Sequence, residues 1–244
     1  MRKKIVFFSL LVSLLFTGCN SLYLPQTAQS EIPVFESKSP VKMALVLGGG
    51  GSKGLAHLGA IKELEAAGLR PDLIIGCSAG SIVGALYADN PELTGVENTL
   101  LKLSRSDLLD ATFFSRLGLV EGKALQNFMK KSLRSKTFDE LKIPLIVVAT
   151  DLFNGETIEL SQKELPVAIG ASCAFPGVFH PVFLHDRYLI DGGASSPVPV
   201  EIAKKYGADI VIAIDVSEKL PSSKPSHFFG IAKRGMEIVY RKLV

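Results

Sequence analysis

The sequence has few of the residues that build metal centres and disulfide scaffolds. Its 244 residues include three cysteines, four histidines and no tryptophan. Apart from Cys19, only Cys77 and Cys173 are available for pairing, and no CxxC, HExxH or similar His/Cys spacing occurs. These absences argue against a disulfide framework and a zinc site, and we expect no metal or other cofactor. Cys77 and Cys173 are predicted to act as small apolar side chains.

The sequence also lacks the excess of positive charge that is typical of nucleic-acid-binding proteins. The formal net charge is +3, and residues 1–18 carry three basic residues and no acidic one, which leaves 24 basic and 24 acidic residues beyond them. We therefore expect no nucleic-acid partner. The C-terminal segment is the exception, because Glu237 alone opposes Lys219, Lys224, Lys233, Arg234, Arg241 and Lys242. This segment could contact anionic lipid, or it could form a solvated final helix.

No uninterrupted apolar run reaches the roughly 20 residues that a membrane-spanning helix needs. Instead, residues 2–4 are basic and residues 5–16 are apolar, a pattern that predicts a secretory signal peptide over residues 1–18. The following stretch, Phe16 to Cys19, resembles the lipobox of bacterial lipoproteins, in which the cysteine is lipidated; that family usually has Leu where Phe16 stands. The alternative is an ordinary signal peptide in which Cys19 has no role. Because Asn20 follows, the resemblance implies an exported lipoprotein, anchored in the outer membrane if the cell is Gram-negative.

Beyond Cys19, residues 19–40 are rich in proline and small polar residues and are predicted to form a tether. Residues 41–244 are predicted to form one domain in which apolar strands alternate with amphipathic helices. The predicted strands are 41–47, 71–76, 143–151, 156–160, 187–191 and a buried last strand at 208–215. This order indicates an α/β fold, with a mostly parallel central sheet between two helical layers. Ligands of such sheets bind beyond the carboxyl ends of the strands.

A glycine run, Gly48 to Gly51, directly follows the first strand. A dinucleotide-binding loop is disfavoured because the second strand ends without an acidic residue, and a Walker loop is disfavoured because glycine follows Lys53. A tight turn is a further alternative, but it does not need four glycines. Backbone N–H groups of Gly49, Gly50 and Gly51 could instead converge on an oxyanion, with the support of the following helix.

The second strand is followed by Gly76-Cys77-Ser78-Ala79-Gly80, which matches the G-x-S-x-G pattern of a nucleophile elbow. A helix N-cap is the simpler interpretation of Ser78. However, an N-cap does not require the small residues Gly76 and Gly80 on both sides, whereas an elbow does, because its strand and helix approach closely. We therefore predict that Ser78 is a nucleophile.

A serine nucleophile needs a base, and the sequence offers two candidates. His227 follows the last strand, as in a Ser-Asp-His triad, but it lies at a loop-to-helix junction and is expected to be a surface histidine. Asp191 comes at the end of a strand, and Gly192 and Gly193 allow another loop to approach it closely. A partly buried carboxylate can accept the serine proton directly. A turn-forming aspartate is the alternative role for Asp191.

Together these motifs resemble the patatin-like phospholipase family of serine acyl hydrolases, over roughly Val41 to Asp215. The resemblance rests on four blocks in the same order as in the family: Gly49-Gly50-Gly51-Ser52-Lys53-Gly54, Gly76-Cys77-Ser78-Ala79-Gly80, the A-S-x-x-x-P segment Ala171 to Pro176 with Pro181 beyond it, and Asp191-Gly192-Gly193. A departure follows the last block, where Ser196 to Pro199 stands in place of the usual Asn-x-Pro.

The resemblance implies a patatin-like α/β fold and a Ser-Asp dyad that needs no metal. Ser78 would attack an ester carbonyl, Asp191 would accept its proton and later activate water, and Gly49 to Gly51 would hold the oxyanion. The expected protein is a membrane-tethered lipolytic esterase or phospholipase acting on acyl esters of lipids. Two alternatives remain: a triad esterase that uses His227, and a catalytically silent lipoprotein of the same fold that binds lipid or a partner.

Overall fold

A computed structural model describes residues 24, 30–37, 39–108, 110, 120–217, 224–226 and 228–243. The predicted signal peptide, Cys19 and His227 lie outside the described residues. Within the described part of the chain, no helix is both long enough and apolar enough to cross a bilayer.

Strands and helices alternate along the chain, as the sequence pattern predicts. The strands are β1 (Met43–Leu47), β2 (Leu73–Cys77), β3 (Leu145–Asp151), β4 (Thr157–Leu160), β5 (Val182–Leu184), β6 (Arg187–Asp191) and β7 (Ile210–Ile214). The α-helices are α1 (Ala56–Ala66), α2 (Ala79–Asp89), α3 (Leu93–Leu101), α4 (Arg105–Leu108), α5 (Lys123–Ser132), α6 (Leu165–Ser172), α7 (Val200–Lys205) and α8 (Phe228–Lys242). Short 3-10 turns cover Gly51–Leu55, Phe138–Glu140 and Gly192–Ala194.

The strands form one sheet in which β7, β1, β2 and β3 are neighbours and run parallel. Strands β4 and β6 both pair antiparallel with β3, and β5 pairs antiparallel with β6. Strand β5 therefore points in the same direction as the parallel strands. The prediction of a mostly parallel central sheet is confirmed.

Helices cover both faces of the sheet. Successive side chains of each strand point to opposite faces, so each buried strand packs against helices on both sides. On one face, Leu45 and Leu47 of β1 belong to a cluster that includes α2 and α6 residues. On the other face, Ala44 and Val46 pack in a second cluster with Ile202 and Ala203 of α7. The three-layer arrangement encloses β1, β2 and β3, whose residues are all buried.

One sequence-based expectation about the strands is wrong, and one strand is not predicted by the sequence. The last strand was expected to be buried, but β7 lies at the edge of the sheet and Ile210 is 56% exposed. Its apolar residues had suggested a central position. Strand β5 was not expected, because its two-residue connection to β6 uses His185 and Asp186 at positive φ rather than the asparagine and glycine typical of such hairpins.

Candidate active site

Strands β2 and β6 meet end to end along one edge of β3. Val147 and Val148 of β3 pair with both β2 and β4, so these two strands lie on opposite edges. Ala149 and Thr150 pair with both β4 and β6, so β6 lies on the same edge as β2. Cys77 is opposite Val148 and Asp191 is opposite Ala149, the next residue of β3. The residue after Cys77 is therefore brought against Asp191.

The hydroxyl of Ser78 donates a hydrogen bond directly to Oδ2 of Asp191, at 2.6 Å. The two residues are 113 positions apart in the sequence. Ser78 precedes α2 but makes no capping hydrogen bond with its side chain, so the interpretation of Ser78 as an ordinary N-cap is wrong. With no imidazole between the two groups, the serine and the carboxylate can exchange a proton in one step.

The backbone of Ser78 has φ 49° and ψ −121°, a conformation that residues with a Cβ rarely adopt. The hydroxyl of Ser172, which is fully buried, accepts the Ser78 N–H at 2.8 Å and donates to the Val148 carbonyl at 2.6 Å. On the other side, the N–H and hydroxyl of Ser81 donate to the Ser78 carbonyl at 2.8 and 2.6 Å. These hydrogen bonds hold the strained peptide of Ser78 on both sides.

Glycines let four segments of backbone converge on Ser78. A Cβ on Gly76 would lie 2.6 Å from Cα of Ser81, and one on Gly54 would lie 2.6 Å from Cβ of Ala79. A Cβ on Gly80 would overlap the carbonyl oxygen of Leu47, and one on Gly192 would overlap that of Val148. The strand, the glycine loop, α2 and the turn after β6 can approach one another only because these positions have no side chain.

Asp191 is removed from water, with 3% of its surface exposed. Its Oδ1 accepts the Gly193 N–H at 2.8 Å, so Asp191 forms a turn and also contacts Ser78. Burial raises the pKa of the Asp191 carboxyl to about 6, and the hydrogen bonds from Ser78 and Gly193 oppose this rise. A carboxylate with a raised pKa is a stronger base than an ordinary one and still ionises near neutral pH.

The glycine loop lies beside the elbow, since a Cβ on Gly49 would be 3.4 Å from Cβ of Ser78. The N–H of Gly49 donates to the Pro197 carbonyl at 2.9 Å, so it is already engaged. Within the described residues, the N–H groups of Gly50 and Gly51 have no such partner. Gly51 has φ 58°, a left-handed conformation that glycine adopts without strain. Gly50 and Gly51 are thus the loop donors available to an oxyanion.

The sequence analysis missed two residues near the site. His57 of α1 is fully buried, and its Nε2 lies 2.9 Å from the Gly48 carbonyl, where it supports the glycine loop. Tyr240 of α8 packs against the turn after Asp191: its Cε2 would lie 3.0 Å from a Cβ on Gly193. Neither is part of a local motif, so no sequence signal pointed to them.

The two cysteines near the site are free; Cys77 is buried, as expected of a small apolar side chain, and Cys173 is partly buried. Burial and the neighbouring Asp191 carboxylate raise the pKa of both thiols well above its ordinary value. Sγ of Cys173 lies 3.8 Å from the Ser81 hydroxyl. The thiols therefore stay protonated, a state in which they are poor nucleophiles. Among the described residues, no cluster of acidic, histidine or cysteine side chains could hold a metal ion.

Comparison with known protein families points to one family. The sequence model described as patatin-like phospholipase matches residues 45–204, which include Ser78 and Asp191. An NTE family protein of Mycobacterium tuberculosis is 32% identical over 192 residues, which cover 78% of this chain and 53% of the relative. The chain thus spans about half the length of that relative.

A second relative and one solved structure also resemble this chain. Human patatin-like phospholipase domain-containing protein 6 is 32% identical over 185 residues, covering 72% of this chain and 13% of that protein. Among solved structures, VipD from Legionella pneumophila superposes with a TM-score of 0.52 and 17% identity, covering 76% of this chain and 52% of VipD. The likeness to VipD concerns the fold.

Proposed function

Because the chain belongs to the patatin-like phospholipase family, we propose that it hydrolyses acyl esters of lipids, with Ser78 as the nucleophile and Asp191 as its base. The observation that carries the proposal is the direct 2.6 Å hydrogen bond from the Ser78 hydroxyl to the buried Asp191 carboxylate. Relatives named as phospholipases, and a lysophospholipase of Coccidioides immitis that is 29% identical over 206 residues, support a lipid ester as substrate.

In the proposed reaction, Oγ of Ser78 attacks the ester carbonyl carbon while its proton moves to Oδ2 of Asp191. The N–H groups of Gly50 and Gly51 stabilise the negative charge that develops on the carbonyl oxygen. When the tetrahedral intermediate collapses, the bond to the alcohol breaks and the alcohol takes the proton from Asp191. The carboxylate then removes a proton from water, which attacks the acyl-enzyme carbonyl. When this second tetrahedral intermediate collapses, the bond to Oγ of Ser78 breaks, Oγ takes the proton back from Asp191 and the fatty acid leaves.

Hydrolysis of a chromogenic short-chain ester tests the dyad. We expect Ser78→Ala and Asp191→Asn to lower kcat/KM by at least about a thousandfold, since each removes a group that changes its bonding in the transition state. Ser161→Ala is the matched control: Ser161 is buried, and its hydroxyl has no partner among the described residues. Full activity of Asp191→Asn would contradict the proposal.

The triad alternative needs an imidazole between the acid and the serine. The direct contact between Asp191 and Ser78 leaves no room for one there. We therefore expect His227→Ala to keep its activity, and a loss comparable to that of Ser78→Ala would favour the triad. The catalytically silent alternative predicts no turnover by the unsubstituted chain. The strained Ser78 backbone and the raised pKa of Asp191 argue against this silent alternative. Both features lower the stability of the folded protein and are not needed to form the fold.

We further propose that the protein is exported and tethered to the membrane by a lipid on Cys19. The support is the basic and apolar start of the sequence, followed by Phe16-Thr17-Gly18-Cys19. Metabolic labelling with a fatty-acid precursor should mark the unsubstituted protein but not Cys19→Ala. Cys77→Ala is the control, because Cys77 is buried and should not affect labelling. Equal labelling of Cys19→Ala would overturn the anchor.

A further inference from the structure

Three aromatic side chains form a partly exposed cluster at the end of the sheet that carries the dyad. Tyr188 of β6 contacts Phe183 of β5, with ring centroids 5.0 Å apart, and Phe153 of the turn after β3, with centroids 6.0 Å apart. Phe183 is 49% exposed and Phe153 is 44% exposed. We call these three residues the aromatic tip. Exposed apolar side chains that touch one another mark an interaction surface more often than scattered ones do.

The aromatic tip is close to the dyad because Tyr188 of the tip and Asp191 of the dyad both belong to β6. Tyr188 precedes Asp191 by three residues on this strand, a separation of roughly 10 Å. Leu152 follows the end of β3, and its N–H donates to the Tyr188 carbonyl at 2.8 Å, so β3 and β6 remain paired up to the tip. The aromatic tip thus lies beyond the carboxyl end of β2, on the side from which a substrate reaches Ser78.

Buried polar contacts fix the turn that carries Phe153. Oδ1 of Asp151 accepts the Phe153 N–H at 2.8 Å, and Nη1 of Arg187 donates to Oδ2 of Asp151 at 2.9 Å. The Asp151 side chain is fully buried and that of Arg187 nearly so. These contacts hold the turn in the conformation that exposes Phe153 to solvent.

Helix α8 carries positive charge and exposed apolar groups on the other side of Asp191. Its Tyr240 packs on Gly193, two residues beyond Asp191. Arg241 and Lys242, in its last turn, are exposed, and Val239 is 53% exposed. The short segment from Tyr188 to Gly193 thus connects the aromatic tip, the catalytic carboxylate and a basic helix end.

We propose that the aromatic tip inserts into the surface of an anionic lipid bilayer and holds the dyad against its substrate. Tyrosine, which has a polar end, is typical of membrane–water interfaces, where Tyr188 would lie, and the two phenylalanines beside it would enter the apolar layer. Arg241 and Lys242 complement anionic headgroups. The proposal rests on the lipid acyl hydrolase function proposed above, and it adds the surface through which a lipid aggregate is reached.

Fluorescence locates the inserted surface independently of any lipid on Cys19. The chain has no tryptophan, so Phe183→Trp introduces a single reporter at the tip. With vesicles of phosphatidylglycerol and phosphatidylcholine, we expect its emission to shift to shorter wavelength and to be quenched by brominated acyl chains. Ile210→Trp is the matched control, because Ile210 is equally exposed but begins β7 at the opposite end of the sheet. Quenching that is absent from Phe183→Trp, or equal at both positions, would overturn the proposal.

Enzyme assays separate docking from chemistry. Phe153→Ser combined with Phe183→Ser should lower hydrolysis of vesicle lipid by about tenfold or more. In the unsubstituted protein, the exposed part of each phenylalanine moves from water into the bilayer on docking, and serine removes this favourable transfer. The same variant should hydrolyse a dissolved short-chain ester at the normal rate. Leu69→Ser combined with Ile210→Ser, which changes exposed residues at the far end, should affect neither rate.

Each remaining outcome is also decisive. If the unsubstituted chain does not hydrolyse the dissolved ester, the proposed function fails. If it does, but the tip variant acts normally on vesicles, the docking surface alone is wrong. Arg241→Gln with Lys242→Gln should reduce the preference for vesicles that contain phosphatidylglycerol, and an unchanged preference would contradict the role of α8. An emission shift that depends on protein concentration without vesicles would indicate a second copy as the occupant instead of lipid.

Discussion

The parallel and antiparallel parts of the sheet each supply one member of the Ser78–Asp191 pair, and they hold it in different ways. In the parallel part, Ser78 is positioned by close backbone packing, for which Gly76 and Gly80 leave the space. In the antiparallel part, Asp191 is positioned by pairing with β3 and is withdrawn from water. The proposed nucleophile thus has a strained backbone, and its proposed base has a carboxylate whose charge is costly to bury.

This difference separates two kinds of sensitivity. Changes near Ser78 should act through steric fit and should damage the fold and the activity together. Changes at Asp191 should act through electrostatics, so that activity and stability can move in opposite directions. The following predictions test this contrast, beginning with the largest expected effect.

Adding one methyl group at the crowded glycines should be the most damaging change. In Gly80→Ala the new Cβ would overlap the Leu47 carbonyl oxygen, and we expect a loss of more than about 3 kcal/mol in the free energy of unfolding. Gly59→Ala is the control: Gly59 lies in α1 with open space around its Cα, so alanine should stabilise the helix by about 1 kcal/mol. Urea denaturation followed by circular dichroism measures both, and equal stability of the two variants would break the comparison.

Asp191→Asn should increase stability while it abolishes activity. The raised pKa means that the folded state binds a proton more tightly than the unfolded state does, so stability is lost as the pH rises from about 4 to 6. The neutral amide avoids this loss, and at pH 8 we expect about 2 to 3 kcal/mol of stabilisation. At pH 3.5 the variant and the unsubstituted chain should unfold alike. A variant less stable at pH 8 would contradict the burial argument.

Ser172→Ala should impair catalysis through the backbone of Ser78. Loss of the hydroxyl leaves the Ser78 N–H and the Val148 carbonyl without this partner, and we expect kcat to fall about 10- to 100-fold with little change in KM. Ser172→Thr keeps a hydroxyl and should recover part of the rate if space allows. Ser161→Ala, which removes a buried hydroxyl that has no described partner, should leave kcat unchanged. A rise in KM alone would assign Ser172 to substrate binding instead.

The pH–rate profile should report the ionisation of Asp191. Since the base must be deprotonated, kcat/KM for the dissolved ester should fall about tenfold per pH unit below a midpoint near pH 6. A midpoint near pH 4 would mean that Asp191 is solvated in the working enzyme.

The parts of the site that the sequence reveals are those encoded locally. Ser78 and its flanking glycines lie within five residues, and their need for close packing is visible in the residue types alone. The antiparallel placement of β6 could not be deduced, because it depends on which edge of β3 is still free beyond the end of β2. The contact from Ser172 to Ser78 likewise spans 94 residues and has no local signature.

The proposed oxyanion donors show the same limit. The glycine run predicted three equivalent N–H groups, but the Pro197 carbonyl already accepts that of Gly49. Pro197 belongs to the segment after Asp191, and only the folded chain brings it to the loop. Burial was also misjudged at β7, because apolar composition does not distinguish a central strand from an edge strand such as the one that begins at Ile210.

Because β2 and β6 meet end to end, the length of β6 determines where the Asp191 carboxylate lies relative to Ser78. Deleting a single residue between Tyr188 and Asp191 would displace the carboxylate by about 3.3 Å and turn it towards the opposite face of the sheet. Such a chain would keep its serine, its aspartate and every glycine of the motifs, and yet it would be inert.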